Sequence, residues 1–322
     1  MPWDQILSWT FLIALLAAGI RLAVPVLLAI LGEIITERAG ILNLGLEGIM
    51  LVGGLAGFAV AYGIESATNL RLAAAWLGLV AGAIAGALMG LMMAVLTVSF
   101  KADQVVAGVT LVLFGQGLTN YLYRQQFGLT TARVTGLPDQ PLPWLAQIPV
   151  LGEVLFTHNP MVYISVLLVP LCWFFLFRTT WGLQIRAVGE NPAAADTSGI
   201  NVTTTRYIAI LLGAALAGLG GAVLTVVQLH LFREGVTAGR GWIAVALVFF
   251  SRWYPVRALW GALLFGVADA LQYRIQALGT REIPYEFLLM LPYLLTLLVL
   301  LRKSKGGEAP AALGTPYFKG RR

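Results

Sequence analysis

The sequence predicts an all-α protein that crosses a membrane many times. Hydrophobic residues make up 59% of the 322-residue chain and charged residues 11%, whereas a soluble domain carries about a quarter charged residues. The apolar residues also gather into runs long enough to cross about 30 Å of hydrocarbon as helices. We therefore expect a bundle of membrane spans rather than one large soluble core.

The individual spans follow from the positions of these runs. Eight runs are long enough for a membrane-crossing helix, at residues 10–31, 41–62, 72–99, 104–123, 160–177, 206–228, 258–278 and 286–301. A shorter run, GWIAVALVFF at 241–250, predicts a short span or a re-entrant helix held by surrounding protein. We expect nine passes, with eight as the alternative. Four prolines in the segment 124–159 predict a stiff, extended cover on the outside.

The distribution of basic residues predicts an N-terminus outside and a C-terminus in the cytoplasm, because cytoplasmic segments of membrane proteins are enriched in Lys and Arg. With nine passes, thirteen of these residues fall inside: Arg38, Lys101, Arg178, Arg186, Arg206, Arg252, Arg257, Arg302, Lys303, Lys305, Lys319, Arg321 and Arg322. Seven fall outside: Arg71, Arg124, Arg133, Arg233, Arg240, Arg274 and Arg281. The chain thus divides into a transmembrane domain over 1–301 and a basic cytoplasmic tail over 302–322. Cations arranged by topology do not indicate nucleic-acid binding.

Small residues in the third run predict close helix packing. Gly78, Gly82, Gly86 and Gly90 are four residues apart and form one smooth stripe on a helix. Such stripes let helix backbones approach each other in membranes.

Several motifs are missing from the sequence. GxxxxGK[ST] does not occur, so we expect no ATP-phosphate site in this chain. HExxH, paired CxxC and GxSxG are missing too, and neither a catalytic nor a metal site is predicted. A membrane enzyme is therefore the least favoured class.

The stretch AVGENPAAADTSGINV, at 187–202, is polar although it lies between apolar runs. Asn191 suits a helix N-cap and Pro192 the first helical position, while Gly199 suits the left-handed stop. These signals predict a helix of about two turns within an inside loop over 178–206. An ordinary solvated connection is one interpretation. The other is a contact helix that enters a groove on a separate partner.

Three separated motifs resemble permease subunits of bacterial ABC importers of the branched-chain amino acid, ribose and nucleoside type. GENPAAADTSGINV resembles their cytoplasmic coupling segment, and ERAGILNLGLEGIML at 37–51 resembles a second signature in its nucleoside or simple-sugar form. The ending APAALGTPYFKGRR resembles that subgroup as well. The resemblance implies that the ATPase contact is formed by Gly189, Glu190, Asn191, Pro192, Ala195, Gly199 and Ile200.

The resemblance also implies partners and a location in the bacterial cell membrane. A separate ATPase would bind ATP and Mg, a second and often non-identical permease would complete the pathway, and an external lipoprotein would deliver cargo. Nucleosides are the expected cargo, with simple sugars or branched-chain amino acids as alternatives. A self-contained secondary transporter is the rival class, but it should show inverted repeats and a midplane ion site.

Polar residues inside spans are the candidates for the substrate pathway, because they are costly there unless they have a function. Asn43 and Glu47 are four residues apart and are predicted to share a helix face. The alternative is that Glu47 pairs with Arg38 or Arg21 for structure alone. The further candidates share faces in two other spans: Gln116 with Asn120, and Asp269 with Tyr273.

Overall fold

The computed structural model describes residues 8–128, 132–277, 285–301 and 309–320. Within these ranges the regular elements are all helices, in agreement with the predicted all-α class. In chain order they are α1 Trp9–Arg38, α2 Leu46–Ala67, α3 Arg71–Ala94, α4 Gln104–Phe127, α5 Leu151–Leu155, α6 Pro160–Arg178, α7 Thr180–Glu190, α8 Pro192–Thr197, α9 Val202–Ala222, α10 Arg240–Ser251, α11 Pro255–Ala277 and α12 Tyr285–Leu301. Wider turns of π-helix, Val95–Ser99 and Val223–Gln228, extend α3 and α9.

Six of these helices are long and apolar enough to cross a membrane: α1, α2, α3, α4, α6 and α9. The 23-residue α11 has a comparable length but carries Arg257, Asp269 and Arg274. The shorter α10 has 12 residues. Each apolar run singled out in the sequence overlaps one helix, whereas α7 lies in what the sequence predicted to be a loop.

The centre of the bundle is α9, which packs against α1, α2 and α3. The glycine stripe of α3 lies at these contacts. A Cβ added at Gly86 would collide with the backbone of Ala214 and Gly218 on α9, and one added at Gly78 would lie 2.6 Å from the carbonyl oxygen of Gly57 on α2. The absence of side chains at these positions therefore allows the three helices to approach closely.

The two ends of the bundle differ in character. One end, here called the basic end, holds the end of α1, helices α7 and α8, and the segment 309–320; its cations include Arg38, Arg186 and Lys319.

The opposite end is covered by the proline-rich segment. Its extended part is held by backbone hydrogen bonds from Val134 to His230 (3.0 Å) and from Gln140 to His158 (3.1 Å). Burial lowers the pKa of the His158 imidazole, which favours the neutral form of the ring.

Candidate functional site

The chain breaks its helical path between α1 and α2. Seven residues, 39–45, are not helical, and polar side chains accept hydrogen bonds from three of their backbone N–H groups. Glu33 accepts from the N–H of Asn43 (2.9 Å), and Gln104 accepts from the N–H of Leu42 (2.7 Å). Backbone groups inside a membrane need such partners because lipid supplies none. These side-chain hydrogen bonds therefore fix the non-helical conformation of the break.

The break corrects the prediction that Asn43 and Glu47 share a helix face. Asn43 lies before α2, and its side-chain oxygen accepts from the N–H of Gly45 (3.0 Å). An Asn that bonds the backbone two residues ahead favours a turn over a helix. The helix therefore begins at Leu46 rather than at residue 41.

Glu47 lies in the first turn of α2, where it holds the start of α10. One carboxylate oxygen accepts from the Thr237 hydroxyl and from the N–H of Gly239 (2.8 Å), and the other accepts from the N–H of Gly241 (2.7 Å). A carboxylate is stabilised by the unpaired N–H groups and the dipole at a helix N-terminus. The predicted ion pair of Glu47 with Arg38 or Arg21 is therefore wrong. The partners of the carboxylate are instead one hydroxyl and two backbone N–H groups.

The helix that Glu47 holds is about half a membrane long. Its 12 residues span about 18 Å, against about 30 Å of hydrocarbon. The far end of α10 is anchored near the basic end, where the Trp253 indole donates to Glu37 (2.5 Å). The start of α10 therefore lies inside the bundle. The chain comes from the opposite end, where His230 lies, and leaves at the basic end, so it does not turn back as a re-entrant helix would.

A buried ion pair completes this junction. Arg240, the first residue of α10, lies 2.7 Å from the carboxylate of Asp269 on α11, and both side chains are buried. Arg240 also donates to the carbonyl oxygen of Thr237 (3.3 Å). The structure thus brings Glu47 and Asp269 to one place, joined through Thr237 and Arg240. The sequence had placed Arg240 in an outside loop, which was wrong.

Tyr273 behaves differently from Asp269, one turn earlier on the same helix. Its side chain is 47% exposed, and it interacts with Arg240. Of this predicted pair, only Tyr273 is exposed on the surface, because Asp269 is buried.

Glycines set the position of α4 against α2. A Cβ added at Gly115 would lie 2.8 Å from the Cα of Gly48, and one added at Gly108 would meet Leu44 at the same distance. Gln116, which follows Gly115, therefore lies at the depth of Glu47, which precedes Gly48.

The other face of α4 is uncovered by the described part of the chain. Gln116 is exposed, and Asn120 is half-buried with a side-chain oxygen that has no hydrogen-bond partner among the described residues. Asn120 also lines a cavity of about 560 Å³ together with Tyr121, Arg124 and Gln125. Amide groups on the surface of a spanning helix are unsuited to lipid and indicate water or another subunit.

At the basic end, α7 and α8 form a rigid segment. Asn191 caps α8 by accepting from the N–H of Ala194 (3.0 Å), and Ile200 closes it by donating to the carbonyl of Ala195 (3.0 Å). Gly199 adopts φ +86°, a left-handed conformation that glycine tolerates best. The caps are those that the sequence predicted, and the six residues of α8 agree with the predicted length of about two turns. Helix α7 was missed.

The residues predicted to contact an ATPase are not equally accessible. Ala195 is buried against Val188 and Val202, so the expectation that its side chain faces a partner is wrong. Gly189 is buried too, and the Glu190 carboxylate accepts from the N–H of Ala311 (3.3 Å). Pro192 and Ile200 are half-buried, whereas Asn191 and Gly199 are exposed. The outer surface of α8 consists of Ala193, Ala194 and Thr197, and the C-cap residue Ser198 continues it.

This segment lies directly on the break between α1 and α2. A Cβ added at Gly189 would collide with the carbonyl oxygen of Arg38 and would lie 3.2 Å from the backbone nitrogen of Gly40. A displacement of α7 and α8 toward the bundle therefore acts on the start of the break that leads to α2.

A bundle of long apolar helices whose backbone groups are satisfied within the chain is the architecture of a multi-pass membrane protein. The chain belongs to the family described as branched-chain amino acid transport system / permease component, whose model matches residues 15–300.

Relatives with named functions agree with this family. The chain is 44% identical to a putative glucose ABC transporter permease protein of Haloferax volcanii, covering 84% of this chain and 80% of that one. It is 38% identical to a guanosine ABC transporter permease protein of Bacillus subtilis (93% and 95%) and 36% identical to a nucleoside ABC transporter permease protein of Lactococcus lactis (92% and 93%). The same three organisms each hold a second, more distant matching permease, at 28%, 26% and 22% identity. No solved structure matches the chain.

Proposed function

We propose that this chain is the permease subunit of an ATP-driven importer that carries nucleosides and takes its energy from a separate ATPase. The observation that carries the proposal is the segment of α7 and α8. Helix α8 is capped at both ends and presents small side chains outward, and the end of α7 lies against the break between two spans. A solvated connection needs none of these features.

In this proposal the basic end faces the cytoplasm of a bacterial cell, and α8 enters a groove on the ATPase. The contact is made by the outer surface of α8, together with Asn191, Pro192 and Gly199. ATP and Mg bind to the ATPase. Gly189, Glu190, Ala195 and Ile200 serve the contact by holding the segment in shape.

The pathway runs along the uncovered face of α4, between this chain and a second permease. Gln116 and Asn120 offer amide donors and acceptors, which suit ribose hydroxyls and base edges. Tyr273 is a further candidate because its ring is exposed. A second, non-identical permease is favoured by the paired relatives in three organisms, and an external binding lipoprotein would deliver the nucleoside.

Simple sugars are the second candidate cargo. The relative in Haloferax volcanii carries a glucose name and shares 44% identity with this chain. Sugar hydroxyls and ribose hydroxyls present the same chemistry to an amide, so the α4 face alone favours neither.

The test is uptake by vesicles that contain the chain, its ATPase and its second permease, with the binding protein added outside. We expect ATP-dependent uptake of labelled guanosine that excess leucine does not compete away. ATP-dependent uptake of labelled glucose without guanosine uptake would move the cargo to sugars. Uptake that proceeds without ATP under an ion gradient would contradict the proposed class.

A further inference from the structure

The segment 309–320, near the end of the chain, is bound at the basic end by backbone hydrogen bonds. Ala312 donates to the carbonyl oxygen of Gly189 (2.9 Å), and Gly314 donates to that of Gly40 (3.2 Å). The buried guanidinium of Arg206, at the start of α9, donates to the carbonyl oxygen of Thr315 (3.2 Å). One short stretch therefore reaches α7, the break after α1, and α9.

Side chains reinforce this attachment. Ala312 is buried, and Tyr317 packs against the small cluster that holds α8. The ammonium group of Lys319 lies 3.9 Å from the carboxylate of Asp196, and that of Lys101 lies 4.2 Å from the centre of the Phe318 ring. The segment thus contacts both α8 and the loop that follows the π-helical turn after α3.

Packing contact between Gly189 and Gly40 and the hydrogen bonds that bridge them resist different motions. Gly189 and Gly40 already meet by close packing, and such contact resists compression but offers little resistance to separation. Hydrogen bonds from Ala312 and Gly314 bridge the same two residues and oppose their separation. Motion of α7 and α8 can then both push and pull the break between α1 and α2.

We propose that residues 309–320 act as a strap that transmits the motion of α7 and α8 to the break before α2. This inference rests on the proposed function, in which an ATPase moves that segment. Ala312, Gly314 and Lys319 are positioning residues, since they act through the coupling segment and do not touch cargo.

Two glycines of the segment provide a matched pair for the test. Gly314 has φ +78° and Gly320 has φ +81°, and neither has an atom within 4 Å of an added Cβ. Valine is disfavoured at such φ values in both places. Gly314→Val strains the backbone whose N–H reaches Gly40, while Gly320→Val strains the chain beyond the last attachment at Lys319.

The readout follows the pathway rather than the cargo. A cysteine replaces Gln116 in a Cys172→Ser background, and its labelling by a hydrophilic maleimide is measured in the assembled transporter with and without ATP and Mg. We expect an ATP-dependent change in labelling with the native tail and with Gly320→Val. Gly314→Val should reduce that change by about fivefold or more, while the ATPase still co-purifies and still hydrolyses ATP.

The outcomes separate the strap from the proposed function. An unreduced change in Gly314→Val contradicts the strap alone. Loss of ATPase co-purification in Gly314→Val also contradicts it, because the tail would then be a docking surface. Absence of any ATP-dependent change with the native tail contradicts the proposed function, and the strap with it.

A second measurement tests whether the segment is docked in the membrane-embedded protein. Asp196→Cys together with Lys319→Cys, again without Cys172, should be joined by a bifunctional maleimide, whose arm replaces the length of the lysine side chain that the substitution removes. The pair Asp196→Cys with Thr203→Cys is the control. Both positions lie at the same surface as Lys319 but outside the tail, so this pair reports the general reactivity of a cysteine at 196. Failure of the first pair to cross-link in folded, assembled transporter contradicts the strap.

Discussion

Two polar regions of the bundle lie at similar depth and differ in how their groups are satisfied. At the start of α10, Glu47 and Asp269 bind donors from the same chain. On the face of α4, Gln116 is exposed and the oxygen of Asn120 has no partner within the described residues. The charged groups are therefore part of the framework, and the neutral amides remain available to other molecules.

Electrostatics explains this division. An ionised carboxylate in a medium of low dielectric is tolerated only with close donors or a paired cation. Glu47 has three donors, and Asp269 has Arg240. Because an amide costs less free energy to desolvate than a carboxylate does, it can line a water-filled path without a fixed partner. Uncharged nucleosides and sugars need hydrogen-bond partners more than they need a charge.

The largest loss of stability is expected from breaking the buried ion pair. Asp269→Leu leaves Arg240 buried without its partner, at a cost of about 3–5 kcal/mol. We expect a lower melting temperature and less folded protein in detergent. The double variant Arg240→Met with Asp269→Leu should recover most of the loss. A single variant that keeps the native melting temperature but loses uptake would place Asp269 on the pathway instead.

Glu47→Gln should have the next largest effect. The amide offers one acceptor oxygen and turns its NH₂ group toward a backbone N–H, and each unsatisfied group costs about 1–3 kcal/mol. Thermal stability and expression should both fall. Glu234→Gln, at an exposed carboxylate bonded to Arg124, is the control and should keep the native melting temperature. Normal stability with lost uptake in Glu47→Gln would make Glu47 a cargo residue.

Two neighbouring alanines of α8 allow separate tests of its buried and its outer side, because Ala195 is buried and Ala194 is exposed. Ala195→Glu places a carboxylate in the buried cluster with Val188 and Val202, so the segment should open and trypsin should cut within 178–206 at least about tenfold faster. Ala194→Glu, on the outer surface, should leave the cleavage rate unchanged and weaken only ATPase co-purification. Equal cleavage rates in both variants would show that the segment is not held as described.

The smallest effect on stability is expected at Gln116. Gln116→Leu removes an exposed amide and should change stability by no more than about 0.5 kcal/mol. Uptake of the transported solute should nevertheless fall, because a hydrogen-bonding group is lost from the proposed path. A loss of stability as large as that of Glu47→Gln would erase the difference between the two regions.

Local sequence signals predicted the helices and the caps of α8 well. Apolar runs and residues such as Asn191 and Gly199 act on their own neighbourhood, so their effect can be read without tertiary contacts. Helix α7 was missed because its short amphipathic run follows an apolar span and resembles a loop. The break at Asn43 was missed because apolar neighbours hid a local turn.

Long-range partners could not be predicted from the sequence. The spacing of Asn43 and Glu47 indicates a shared helix face, but it gives no sign that Gly239 and Gly241, 192 and 194 residues after Glu47, bind its carboxylate. The docking of residues 309–320 is equally non-local, since Gly40 and Gly189 have no sequence feature that marks them as its acceptors.

The most direct test of the account asks whether the amide face of α4 meets water. Single cysteines at Gln116 and at Leu88, in the Cys172→Ser background, are exposed to a hydrophilic maleimide in the assembled transporter. Leu88 is 60% exposed on α3, and the nearby exposed side chains of that helix, such as Ile84, are apolar, so it should face lipid. We expect labelling at 116 and little at 88, because the thiolate forms only in water. Equal protection of both positions would contradict a pathway along α4.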